Sequence, residues 1–339
     1  MKNKVTTTAF ALFIVLTLVP THHTTYSEKV SNTSLLPNNR GITLYVGGSG
    51  PGNFSTIQDA IDNATNNETV FVYDDSSPYY ENIVINKSIM LQGENKTTTA
   101  IDARGVGGNV VTITTEGVIF SGFSVLNWED NISSQRGMYI HSNNSKIVGN
   151  IFSCTYIWYG YEALVLDHSN NNIISGNYFS HTNLGIVMES SSRNIVSKNF
   201  ITDTFDAGIL LYVSNDNNIS ENLIVKNTYV INLGSSINNK INFNEISSNI
   251  YGMIIKTSVK NIITKNNFRN NIRYNVFDVF SLKPFWRNTW DANYWNRTKL
   301  LPKVIFGVLD ISAGIDITIP WINVDWHPAQ NPYNISILN

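Results

Sequence analysis

The stretch Ile174-Ser175-Gly176-Asn177-Tyr178-Phe179 returns as Val196-Ser197-Lys198-Asn199-Phe200-Ile201, and again as Ile219-Ser220-Glu221-Asn222-Leu223-Ile224. Asn177, Asn199, Asn222, Asn244 and Asn266 are spaced by 22, 23, 22 and 22 residues, and Asn150 lies 27 upstream of the first. Each has an apolar residue three positions before it (Ile147, Ile174, Val196, Ile219, Ile241, Ile263). Each has another two positions after it (Phe152, Phe179, Ile201, Ile224, Ile246, Phe268). A fixed period in this range means a solenoid, whose coils bury their faces only against their neighbours.

A second column keeps the same register: Gly137, Ala163, Gly185, Gly208, Val230, Gly252 and Asn275. A short run follows each of the first six, such as Leu164-Val165-Leu166, Ile186-Val187-Met188 and Ile209-Leu210-Leu211, with its first and third residues apolar. Strand alternation turns those two residues inward. No coil has room for a helix of ten residues, so the pattern predicts an all-β coil of two short strands separated by Asn, Ser and Gly turns. Stacked asparagine amides about 4.8 Å apart can hydrogen-bond along the axis.

The 339 residues carry a formal net charge of -2 and are only 14% charged, which excludes an electrostatic footprint for nucleic acid. Lys2 and Lys4 precede an apolar run from Ala9 to Val19 closed by Pro20. This reads as a secretory signal over 1–26, or a retained anchor, followed by a polar linker over 27–41. No other membrane segment is expected. Cys154 is the lone cysteine, so no disulfide framework exists. Eleven Asn-x-Ser/Thr sequons, Asn53 and Asn218 among them, fit either chance in an Asn-rich chain or a glycosylated exported monomer.

Ser55 and Gln58 read as a capping box for a short helix with the apolar stripe Ile57, Ala60, Ile61 and Ala64, placed to cover the open end of the solenoid. Five segments, Ser55 to Ile61, Thr69 to Val72, Tyr80 to Ile89, Leu91 to Asn95 and Ile101-Asp102, resemble the opening of right-handed parallel β-helix proteins of the pectate-lyase-like superfamily. More narrowly they resemble the NosD-like group with its CASH repeat domain. Asn288-Thr289-Trp290 to Asn293-Tyr294-Trp295 is similar to that group's closing motif, and Asp325-Trp326-His327-Pro328 to its Asp-x-x-Pro ending. The resemblance implies a β-helix over 42–283, an N-terminal helix cap, and an aromatic cap and tail over 284–339. For function it implies an exported protein of one of three kinds: carbohydrate-binding or carbohydrate-processing, accessory to copper-site maturation, or structural.

The candidate chemistry lies in a polar column four residues after the glycine column: His141, Asp167, Glu189, Tyr212, Gly234 and Lys256. Strand parity faces it outward. His141, Asp167 and Glu189 stacked about 5 Å apart could bind a cation or a sugar, and paired carboxylates at that spacing suit a retaining glycosidase. Repulsion would raise one carboxyl toward a general-acid role. The plain alternative is an ordinary solvated corner. The longer coil adds Tyr156, Trp158, Tyr159 and Tyr161, and Trp128 lies one coil earlier. With Tyr212, the residues Trp128, Trp158, Tyr159 and Tyr161 could stack on the apolar faces of sugar rings, or could simply cover core. Asp203 and Asp206 form a weaker acidic pair at a turn. Copper or calcium are the metals to consider, but copper needs soft or clustered ligands. Met138, Met188 and Met253 occupy inward positions, and no His-x-His or Cys-x-x-Cys occurs. A polysaccharide or glycoprotein is the expected partner, and enzymatic activity is open.

Overall fold

The computed structural model describes residues 41–104, 108–126, 135–154, 161–281, 287–297, 301–312 and 316–335. Among them the chain winds into a right-handed parallel β-solenoid of about ten turns. Its three sheets run from Thr43–Val46 to Thr289–Asp291 (sheet A, 11 strands), from Ala100–Asp102 to Tyr294–Trp295 (sheet B, 9 strands) and from Ile83–Ile85 to Asp316–Asp325 (sheet C, 11 strands).

Each coil therefore has three strands, one more than the repeat suggests. The asparagine phrase is two strands joined at a corner: Lys146–Val148 and Ile151–Ser153, for example, flank Asn150. The residue before each ladder asparagine breaks the strand by taking the left-handed conformation: Gly149 (φ 68°), Gly176 (66°), Lys198 (56°), Glu221 (57°), Phe243 (53°) and Lys265 (56°). The asparagine then spends its side chain along the axis. Asn199 donates its backbone N–H and its amide to Asn222 Oδ1, both at 3.0 Å, and its amide also to the carbonyl of Ile174 at 2.9 Å. Its own Oδ1 accepts from Asn177. A second ladder, Asn172, Asn194, Asn217, Asn239, Asn261 and Asn288, turns another corner in the same way. A serine ladder, Ser169, Ser191, Ser214, Ser236 and Ser258, turns a third. These corners bury polar backbone without orphaning it.

The core is as the period predicts. Ile147 to Ile263 in the first column and Phe152 to Phe268 in the second are wholly buried, as are Leu164, Leu166, Ile186, Met188, Ile209 and Leu211 in sheet C. Aromatic rings stack along the axis inside, Phe152 on Phe179 at 4.9 Å and Phe268 on Trp295 at 4.6 Å.

The helix is Ile57–Asn63, with Ile57, Ala60 and Ile61 buried. Its N-cap is Thr56, whose hydroxyl accepts from the Asp59 N–H, in place of Ser55. The Glu81 carboxylate, 24 residues on, takes the Ile57 and Gln58 N–H groups. Gln58 turns away from the cap, donating to Asp62 and accepting from the Val84 N–H. Tertiary capping has displaced the local box. At the other end Asn288 and Asn293 add a further rung to these two asparagine ladders, inside the segment assigned to the C-terminal cap. Beyond it the antiparallel hairpin Lys303–Ser312 and Asp316–Asp325 ends sheet C. Among the described residues no helix is long and apolar enough to cross a membrane.

Candidate functional site

Sheet C carries the polar column. Leu166 pairs with Ile140 and Asp167 with Glu189, which pairs in turn with Tyr212. The register between His141 and Asp167 thus survives the longer coil between them.

Asp167 is the centre of the cluster. Its Oδ2 accepts from the Tyr139 hydroxyl at 2.6 Å, and its Oδ1 lies 2.6 Å from His168 Nδ1. His141 Nδ1 approaches Oδ2 at 3.5 Å. The Tyr139 and His141 rings are stacked 6.3 Å apart, and the Arg136 guanidinium lies 4.9 Å over Tyr139 while pairing with Glu162 at 2.8 Å. Desolvation alone would raise the Asp167 pKa, but the bonds from Tyr139 and His168 and the charges of His168 and His141 outweigh it and hold the carboxyl below its ordinary value. Tyr139 is pushed up to about 12, first by burial and then by its bond to Asp167. The expectation that stacked carboxylates would raise one of them toward a general acid is therefore not met at Asp167.

Tyr212 is 56% exposed, with its ring beside Gly234, where an added Cβ would sit 3.2 Å from the ring. It offers an open aromatic face one rung from Glu189. Tyr161 packs against the core instead. Trp128, Trp158 and Tyr159 lie outside the described residues. Asp203 sits at a left-handed corner and accepts from the Thr202 hydroxyl. Burial raises the Asp206 pKa against the pull of Lys256. Tyr139, Arg136 and His168 were not among the sequence candidates. The first was findable, since it precedes His141 by two on the same strand face.

Among the described residues the soft donors do not gather for copper. Met138, Met188 and Met253 are wholly buried in different coils, and Cys154 is buried too. His141 and His168, with ring centroids 6.2 Å apart, address different oxygens of Asp167 and converge on no common point. Among the described residues no group of three or more His, Cys, Asp or Glu is arranged to hold a metal ion. These residues do not fit a copper centre.

Three sheets of parallel coils, their stacked asparagine ladders and a helix packed at the first coils define a right-handed parallel β-helix. Residues 61–301 match the family model described as periplasmic copper-binding protein (NosD), and the chain belongs to that family. No curated protein matches the sequence. Among solved structures, XylC in complex with xylose is 11% identical with a TM-score of 0.59, covering 78% of this chain and 71% of that one. The DFA-IIIase of Arthrobacter chlorophenolicus A6 without its lid is 8% identical with a TM-score of 0.54, covering 79% and 89%. The enzymatically active domain of bacteriophage CBA120 tailspike protein 2 is 13% identical with a TM-score of 0.49. There the match covers 78% of this chain but only 41% of the tailspike chain. The likenesses to XylC and to the DFA-IIIase bear on the fold.

Proposed function

We propose that this is an extracytoplasmic carbohydrate-binding β-helix protein whose glycan lies on the outer face of sheet C, across His141, Asp167, Glu189 and Tyr212. The observation that carries this reading is the register-aligned column itself. An ionised acceptor held by Tyr139 and His168 stands two rungs from an open tyrosine ring, a pairing suited to sugar hydroxyls and the apolar face of a sugar. The family's periplasmic description supports the location, and the XylC–xylose complex is a fold-level analogy for the ligand. Binding is favoured over hydrolysis, because a carboxyl with a lowered pKa is a poor proton donor at neutral pH.

A glycan-array assay on the full chain tests the proposal. Asp167→Asn and Tyr212→Ala should each lose binding. The double variant Trp158→Ala with Tyr159→Ala asks whether the inserted coil contributes. Glycan binding untouched by Asp167→Asn and Tyr212→Ala would remove the ligand from this column. A second reading, an accessory role in copper-site maturation, draws on the family description alone. Stoichiometric copper uptake by the full chain would favour it.

A further inference from the structure

The sheet C column leaves one group of motifs unused, the Asn-x-Ser/Thr sequons. In most of those whose three residues are all described, the fold has committed the atoms that a modifying enzyme would need. Asn53 and Asn63 donate their side-chain amides to the carbonyls of Gly47 and Asp59. Asn143 Oδ1 accepts from the Asn170 N–H, and the third residue of its sequon, Ser145, is wholly buried. Asn218 lies in a sheet A strand with its Oδ1 buried. That leaves the exposed Asn67, Asn86 and Asn95.

Asn95 differs from the other two. Its Oδ1 accepts from the Thr97 N–H at 3.0 Å and from the Thr97 hydroxyl at 2.9 Å. Asparagine here bonds its own backbone two residues on, which brings the two groups a sequon requires, amide and hydroxyl, together. The Asn95 N–H donates to the Thr99 hydroxyl at 3.1 Å, and the Asn95 carbonyl accepts from the Thr98 and Thr99 N–H groups. All of these bonds lie within residues 95–99. From outside, Asp74 braces the loop by accepting from the Thr98 hydroxyl at 2.6 Å. Asn95 and Thr97 are exposed, and among the described residues Asn95 Nδ2 donates no hydrogen bond. At Asn67 and Asn86 the sequon hydroxyls, on Thr69 and Ser88, make no bond to the asparagine among the described residues.

An amide nitrogen is a weak nucleophile, because its lone pair is delocalised onto the carbonyl oxygen. It attacks as it loses a proton, and negative charge then gathers on that oxygen. Two hydrogen bonds already aimed at Oδ1 favour the charged form.

We propose that Asn95 is a site of N-linked glycosylation, selected by the shape of its loop. The donor is an oligosaccharide joined through its anomeric carbon to a lipid-borne phosphate. Asn95 Nδ2 forms a bond to the anomeric carbon, and the bond from that carbon to the phosphate oxygen breaks. The lipid phosphate leaves with the electron pair, and Nδ2 gives up one proton. The modification goes with the extracytoplasmic location and is independent of any glycan bound on sheet C.

Incubation of the folded full chain with an oligosaccharyltransferase that reads Asn-x-Ser/Thr, and with its lipid-linked oligosaccharide, tests this. A short Asn-Lys-Thr peptide in the same reaction verifies that the enzyme is active. Mass spectrometry of the digested protein reads each site. Asn95 should carry the glycan at higher occupancy than Asn67 or Asn86. Asn95→Gln and Thr97→Ala, both at exposed positions, should abolish it, and Thr97→Ser should keep it. Thr99→Val leaves the sequon intact but removes the hydroxyl that braces the loop, so occupancy at Asn95 should fall severalfold. Circular dichroism confirms that each variant is folded. An unmodified Asn95 beside a modified peptide overturns the proposal, as does occupancy at Asn67 or Asn86 equal to or above that at Asn95. Occupancy unchanged in folded Thr99→Val also overturns it, since the acceptor would then be chosen by sequence alone.

Discussion

Asp325 Oδ2 occupies the place that the next ladder asparagine would give its Oδ1: it accepts from both the backbone N–H of Asn293 at 3.0 Å and the Asn293 side-chain amide at 3.1 Å. It also takes the Trp295 indole N–H at 2.9 Å. The carboxylate is wholly buried, and its second oxygen, Oδ1, has no hydrogen-bond partner among the described residues. Since one oxygen makes all three bonds, Asp325→Asn should change the unfolding free energy by no more than about 1 kcal/mol. Asp325→Leu, which strands three buried donors, should cost about 3 kcal/mol or more. Urea denaturation of both variants measures the difference, and equal losses would mean that the charge itself matters.

A rung inside the ladder has no such latitude. Asn199 gives two donors to Asn222, one to Ile174, and accepts twice from Asn177. Asn199→Ala should cost about 3 kcal/mol or more, because buried donors and acceptors on two neighbouring coils lose their partners together. Asn171→Ala, at an exposed corner nearby, should cost far less. Chemical denaturation of the pair gives the contrast.

The Asp167 cluster predicts opposite pH responses at the two ends of the scale. The lowered Asp167 pKa means its stabilisation is complete above about pH 4 and fades as pH falls through the folded-state value. The raised Tyr139 pKa means its stabilisation is complete below about pH 10 and fades as pH rises toward 12. The stability gap between wild type and Asp167→Asn should therefore close on the acid side. The gap to Tyr139→Phe should close on the alkaline side. Unfolding curves from pH 3 to 12 would reveal either failure.

Gly252 tests the closeness of the coils. A Cβ there would run into the backbone carbonyl of Asn275 on the next coil, which cannot swing aside as a flexible side chain would. Gly252→Ala should cost about 2 kcal/mol or more through overpacking. Position 163 of the same column already holds alanine, wholly buried. A neutral result in thermal melts would mean that the last coils shift apart freely.

The fold was legible because one residue type recurs at one corner. The apolar positions three before and two after each asparagine fall in the core without exception. The strand count was harder to read. The left-handed residue before the asparagine can be Gly176, Lys198 or Phe243, so no composition marks the break. The second asparagine ladder and the serine ladder share the 22–23 period, but their residues look like ordinary turn chemistry until stacked. At the site, the column and its register could be read directly, since strand parity and period define both. The partners of Asp167 could not be foreseen as a set. Tyr139 lies two residues upstream of the column on its strand, and His168 reaches back from a corner at φ 48°. The Ser55–Gln58 capping box failed for the same reason: Glu81 arrives from a distant part of the chain.

The preserved pairing of Leu166 with Ile140 has a consequence for how such a molecule changes over generations. The coil between them is longer than the one that follows it, where Leu166 pairs with Met188, yet the sheet C strands on either side meet as though nothing had been added. Length can be gained or lost there without disturbing the inherited scaffold. A lineage is then free to try new loops ahead of the strand Glu162–Asp167 while selection on folding stays nearly silent.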